Sequence, residues 1–73
     1  MSLRVCIAGA TGWVGRDLVR AVAAANDMGL VGAVARTSAG QDIGTIVGIG
    51  ALGVTIAATV EDALRAGVDV FVD

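Results

Sequence analysis

Hydrophobic and polar positions follow two different periods along this chain. Leu3-Arg4-Val5-Cys6-Ile7-Ala8 is a nearly continuous apolar run, as expected of a parallel strand covered on both faces. After Gly12 the period lengthens. Val14, Leu18, Ala21, Val22 and Ala25 fall at i, i+4, i+7, i+8 and i+11, which predicts a helix with one apolar stripe. Arg16, Asp17 and Arg20 occupy its other side and read as a solvated face, with Arg16 near enough to the helix start to assist an anion. Asn26-Asp27-Met28-Gly29 supplies a turn, and Leu30 to Ala35 a second strand. From Arg36 to about Leu52 the chain is glycine-rich without a clear period, a length usually reserved for functional or mobile connections. A short strand is predicted over Val54 to Ile56. Thr59 then reads as a helix N-cap, with Asp62 three residues on and Glu61 beside it at the positive end of the dipole. Gly67 ends that helix, and Val68 to Val72 form a further strand. Strands alternating with helices predict an α/β fold, a parallel sheet joined by right-handed crossovers.

Composition narrows the class. Apolar residues make up 56% of the 73 positions and charged residues 16%, which excludes a disordered tail. The net charge is −2, with five Arg and neither Lys nor His, so no basic stripe is present for nucleic acid. Cys6, the single cysteine, lies inside the first apolar run and reads as an inert core thiol. One cysteine without histidine supports neither a disulfide nor a metal site, and none is expected. Ile43 to Val60 carries no charge and meets the minimum of about 18 residues for a membrane span. Four glycines and the lack of close flanking cations argue instead for core segments of an α/β sheet, so no membrane association is expected. The N-terminus lacks the apolar core of a signal peptide, which makes a cytoplasmic location the expectation. A complete dinucleotide-binding domain needs about twice this length. Residues 1–73 are therefore expected to be the N-terminal portion of such a domain, with its remainder and a substrate domain lying elsewhere and its sheet incomplete.

The candidate chemistry lies in Ala8-Gly9-Ala10-Thr11-Gly12-Trp13-Val14-Gly15. A glycine spacing by itself is a weak signal; placed between a strand and a helix it describes a dinucleotide site. One glycine permits turn angles denied to other residues, a second allows close approach to a pyrophosphate, and a third lets helix and strand pack. The helix start then offers free N–H groups to the phosphates. The residue closing the second strand selects the cofactor. Ala35-Arg36-Thr37-Ser38 contains no carboxylate for ribose hydroxyls, whereas Arg36 offers a guanidinium to a 2′-phosphate, with two hydroxyls following. A solvated surface arginine is the alternative reading. No residue is suited to proton transfer, so catalytic residues are expected outside these positions.

The run Arg4 to Arg16 resembles the opening of the dihydrodipicolinate reductase family, NAD(P)H-dependent 4-hydroxy-tetrahydrodipicolinate reductases. The resemblance continues through Gly40-Gln41-Asp42-Ile43-Gly44, Gly48-Ile49-Gly50, Gly53-Val54, Thr59 to Leu64 and Asp69 to Asp73. It implies a Rossmann-like parallel sheet with flanking helices, NADPH or NADH as cofactor, a small-molecule substrate of diaminopimelate and lysine biosynthesis, and a homotetramer. Carried over by position, Gly9, Ala10, Thr11, Gly12, Trp13 and Val14 would form the phosphate turn. Ala35 and Arg36 would meet the adenosine ribose, Arg36 at the 2′-phosphate. Ala35 stands where many members carry an acidic ribose ligand, which favours NADPH over NADH. Trp13 stands where many carry arginine, which removes one cationic contact. Other reductases sharing G-A-T-G-x-x-G, of the semialdehyde or acylphosphate type, and a non-catalytic nucleotide-binding fragment are the competing readings.

Overall fold

A computed structural model describes residues 3–65 and 67–73. Seven elements follow one another: β1 (Leu3–Ala8), α1 (Trp13–Ala24), β2 (Met28–Val34), α2 (Ile43–Val47), β3 (Ile56–Ala57), α3 (Val60–Leu64) and β4 (Val70–Val72). The four strands form one sheet in the order β3-β2-β1-β4, and every pairing between them is parallel. The first two crossovers step outward to β3, and the third returns past β1 to β4. This reversal creates a switch point between β1 and β4, beyond whose carboxyl ends such sheets bind ligands.

The central strand presents a different partner on each face, as alternation requires. Val5 and Ile7 are buried in a cluster with Val19 and Val22 of α1, Ala33 of β2, Ile43 and Val47 of α2, and Ile56 of β3. Cys6 points the other way. A Cβ added at Gly32 would lie 3.0 Å from the Cys6 sulfur and 3.2 Å from the Ala63 carbonyl oxygen, so a glycine there lets α3 settle closely on the sheet. Near this point the β1–β2 register slips, leaving Val31 without a partner between Leu30 and Gly32. Cys6 is fully buried, and burial pushes its thiol pKa up.

Several boundaries and one helix face differ from the sequence expectation. β2 starts at Met28, because the Leu3 N–H donates to the Asp27 carbonyl and pairing begins immediately afterwards. The face of α1 toward the sheet consists of Gly15, Val19 and Val22, while Val14 and Ala21 of the expected stripe are exposed. The reason is steric. A Cβ at Gly15 would collide with the Gly9 carbonyl oxygen and approach Ala10 Cα to 2.9 Å, so the helix turns its smallest residue to the strand. The stripe counted apolar side chains; the contact instead selects backbone proximity.

The long connection is ordered by one carboxylate. Asp42 accepts backbone N–H bonds from Gly44 (2.8 Å), Thr45 (3.3 Å), Leu52 (2.9 Å), Gly53 (2.7 Å) and Val54 (3.1 Å). These bonds, the one from Leu52 foremost, hold its pKa below the ordinary carboxylate value. They create α2 inside a stretch that has no readable period. Gly48, at φ 85°, ends α2 with its N–H directed to the Gly44 and Thr45 carbonyls. The uncharged segment once compatible with a membrane span is thus broken into α2, a turn and β3. Among the described residues no helix is long and apolar enough to cross a membrane.

The last strand is shorter than expected, Val70–Val72, because Asp69 turns to Arg4. The Asp69 carboxylate accepts from the Arg4 N–H (2.9 Å), Nε (3.3 Å) and Nη2 (3.2 Å), and its own N–H donates to the Arg4 carbonyl (2.8 Å). This double link sets β4 beside β1 in the register Val5↔Val70.

Candidate functional site

The three glycines of the turn after β1 meet different constraints. Gly9 has φ 68°, a left-handed angle costly for any residue with a Cβ. Gly15 provides the helix–strand contact described above. Gly12 is the N-cap of α1 at φ −75° and ψ 174°, angles open to any residue. Backbone strain therefore does not account for Gly12. A Cβ there would stand 3.3 Å from the Gly9 carbonyl and would project from an exposed turn. The Gly12 N–H closes the turn on Gly9 O at 3.0 Å, and the Ala10 N–H reaches Val34 O at 3.1 Å.

The start of α1 is a twelve-residue helix terminus without compensation. No side chain caps it, and its first turn contains no acidic residue. Among the described residues, the N–H groups of Trp13, Val14 and Gly15 find no carbonyl acceptor. Their partial positive charge suits a phosphate. Trp13 is 94% exposed. Thr11 is half-buried.

Two predicted positions divide from the rest. Ala10 and Ala35 lie in the core cluster at 0% and 5% exposure, so their methyl groups serve packing and only their backbone borders the site. The Ala35 N–H is already spent on Ala57 O. A carboxylate at position 35 would have to leave that cluster to reach a ribose. Arg36 is exposed just beyond β2, and among the described residues no carboxylate pairs with it. Ser38 follows at φ 66°, an uncommon angle for a residue other than glycine, and Gln41 N–H donates to its carbonyl at 3.1 Å. The strand ends, parallel and adjacent, place the glycine turn and the Arg36 segment along one carboxyl edge of the sheet.

Arg16 and Arg20 were expected on a solvated face; the structure puts them to work. Arg16 Nε donates to Thr11 O at 2.9 Å, and its Nη1 to Ile46 O at 3.4 Å. Arg20 Nη2 donates to Val47 O at 3.0 Å, while Nη1 pairs with Asp17. Both guanidinium groups thus satisfy carbonyls at the C-terminal end of α2. Periodicity could not reveal this, because α2 itself has no sequence period. The only prior signal was Arg16's closeness to the helix start. A groove of about 520 Å³ lies here, lined by Thr11, Trp13, Val14, Arg16, Asp17 and Arg20. It marks the cleft beside α1, whereas the N–H groups of Trp13, Val14 and Gly15, unpaired among the described residues, sit on the turn at its end.

The site can bind and orient an anion. Among the described residues no cluster of potential metal ligands is present. Asp42, Asp62 and Asp69, the acidic groups most engaged, are committed to backbone or arginine partners.

Comparison with known proteins points in one direction. The family described as dihydrodipicolinate reductase, N-terminus, matches residues 3–73. The 4-hydroxy-tetrahydrodipicolinate reductase of Synechococcus elongatus is 50% identical over 62 residues, covering 82% of this chain and 23% of that protein. The same-named protein of an Anaeromyxobacter species is 46% identical over 72 residues, 97% of this chain and 26% of its own. That of Gloeobacter violaceus is 41% identical over 61 residues, 84% of this chain and 23% of its own. The chain spans about a quarter of the length of these curated relatives.

Proposed function

This chain belongs to the dihydrodipicolinate reductase family, and we propose on that basis that it supplies the phosphate-binding part of an NAD(P)H site. The reaction is reduction of 4-hydroxy-tetrahydrodipicolinate to tetrahydrodipicolinate, in diaminopimelate and lysine biosynthesis. The bound cofactor supplies the hydride. Residues 1–73 supply binding and orientation, while substrate and proton-transfer groups come from further residues of a cytoplasmic homotetramer. The observation that carries this reading is the uncapped start of α1 at the carboxyl end of β1, beside the β1–β4 switch point.

The proposed roles follow from the groups available. The N–H groups of Trp13 and Val14 receive pyrophosphate oxygens, and the bare Gly12 surface allows the close approach. Ala10 and Ala35 shape the floor beneath the adenosine through packing. Arg36, with Thr37 and Ser38, receives the 2′-phosphate, so NADPH is preferred to NADH. A charge-assisted hydrogen bond contributes about 1.5–3 kcal/mol. Exposure of Arg36 argues for the lower end, which corresponds to about a tenfold preference. Steady-state constants of the intact protein with both cofactors test this. Arg36→Ala is expected to lower kcat/KM for NADPH about tenfold and leave that for NADH nearly unchanged. A wild type that uses NADH better, or a ratio that survives Arg36→Ala, returns Arg36 to the role of a surface residue.

A further inference from the structure

We propose that Arg16 is a positioning residue for the pyrophosphate half of this site: it fixes the Thr11 peptide from behind and does not itself bind the anion. The inference rests on the cofactor reading above. Two observations carry it. The guanidinium is half-buried and already spends Nε on the Thr11 carbonyl, within the glycine turn, at 2.9 Å. It spends Nη1 on the Ile46 carbonyl at the far end of α2, 3.4 Å away. The turn is thereby fastened to α2, whose other end is held by the five bonds to Asp42. Thr11 shares a peptide plane with the Gly12 N–H, so holding its carbonyl fixes the N-cap from which the Trp13 and Val14 N–H groups follow. A planar fork can hold two carbonyls in fixed directions; a lysine ammonium on a flexible stem cannot. Arg20 makes a parallel contact, to Val47 O, but does not touch the turn. It is therefore the natural control.

Calorimetric titration of the intact protein with NADPH and with NADH, on wild type, Arg16→Lys, Arg16→Met and Arg20→Lys, decides the matter. Both Arg16 variants are expected to lose about tenfold in affinity for each cofactor, since each forfeits a charge-assisted bond within the turn. The NADPH/NADH ratio should stay unchanged, which separates Arg16 from Arg36, and Arg20→Lys should bind as wild type. Wild-type affinity in Arg16→Lys would show that a point charge suffices and overturn the proposal. A changed cofactor ratio, or equal losses in Arg20→Lys, would overturn it too. Absence of NADPH binding by the wild type would instead sink the cofactor reading itself. Should the Arg16 variants fail to fold, the wild type still gives an answer. Its Arg16 Nε–H resonance should be protected from exchange with water both without NADPH and at saturation. Free exchange in the unliganded protein, or a switch of that N–H from the Thr11 carbonyl to a phosphate oxygen on binding, would overturn the positioning role.

Discussion

At the scale of single residues, the three glycines of the turn differ in what a side chain would do. Gly15 is a packing position, because its Cβ meets backbone atoms that cannot move aside. Gly15→Ala is expected to destabilise the protein by about 3 kcal/mol, the upper range for overpacking, read as a lower denaturation midpoint. Gly12 is the position we propose for cofactor approach. Its angles suit any residue and its Cβ has only one tight neighbour, Gly9 O at 3.3 Å. Gly12→Val should therefore cost stability modestly while abolishing measurable NADPH binding in calorimetry, because branched methyl groups would stand where the pyrophosphate must lie. Normal affinity in a folded Gly12→Val protein would remove the dinucleotide from this turn. The turn of the three glycines and the place of Arg36 just past the second strand were legible in the sequence. The burial of Ala35 was not, because no local pattern tells whether the residue closing a strand faces the core or the carboxyl edge.

At the scale of elements, local signals were readable where a cap or a run is contiguous. Thr59 accepts the Asp62 N–H at 3.2 Å as its spacing predicts, although the Asp62 carboxylate turns to Arg65. Thr59→Ala should cost about 1 kcal/mol, measured by denaturant unfolding. α2 shows the opposite case. It exists through one carboxylate whose N–H donors span Gly44 to Val54, and through Gly44, whose Cβ would strike the Gly50 carbonyl and lie 2.6 Å from Leu52 Cγ. Such a device has no period to detect. Asp42→Asn replaces one acceptor oxygen with a donor and sets it against N–H groups that then lose their partner. It should lower the melting temperature more than Asp17→Asn, whose carboxylate is 81% exposed and pairs only with Arg20. Equal effects would show that the loop holds itself by backbone pairing alone.

For the molecule as a whole, acid sensitivity follows from Asp42 and Asp69. Both pKa values are lowered in the fold, Asp42 chiefly by the backbone bond from Leu52 and Asp69 chiefly by the side-chain bond from Arg4. A carboxylate whose folded pKa lies below its unfolded value stabilises the protein above the unfolded value. That contribution disappears as pH falls through the folded one. Stability should therefore hold from neutral pH down to about 4 and fall below the reference value of 3.8, with a shallower fall in Asp42→Asn. Melting temperatures taken across that range test this. Cys6 offers a second probe. It is fully buried on the strand between β2 and β4, so a thiol reagent should reach it only through opening of the sheet. Its labelling rate should rise with denaturant in parallel with global unfolding.

What the sequence determined alone is what depends on neighbours within a few residues. The apolar run of β1, the turn glycines, the cap at Thr59 and the alternation of strands with helices are of this kind. They specify a parallel α/β sheet and a glycine turn between β1 and α1. Tertiary structure decided which face of α1 meets the sheet, because a backbone collision at Gly15 outweighs the count of apolar side chains. It also decided that Asp42 would build a helix, that Arg16 and Arg20 would brace it, and that β4 would lie beside β1. Each of these depends on polar groups that carry no shared sequence period, from 2–12 residues apart at Asp42 to 65 apart at Arg4 and Asp69, and their directions become defined only once the chain has folded.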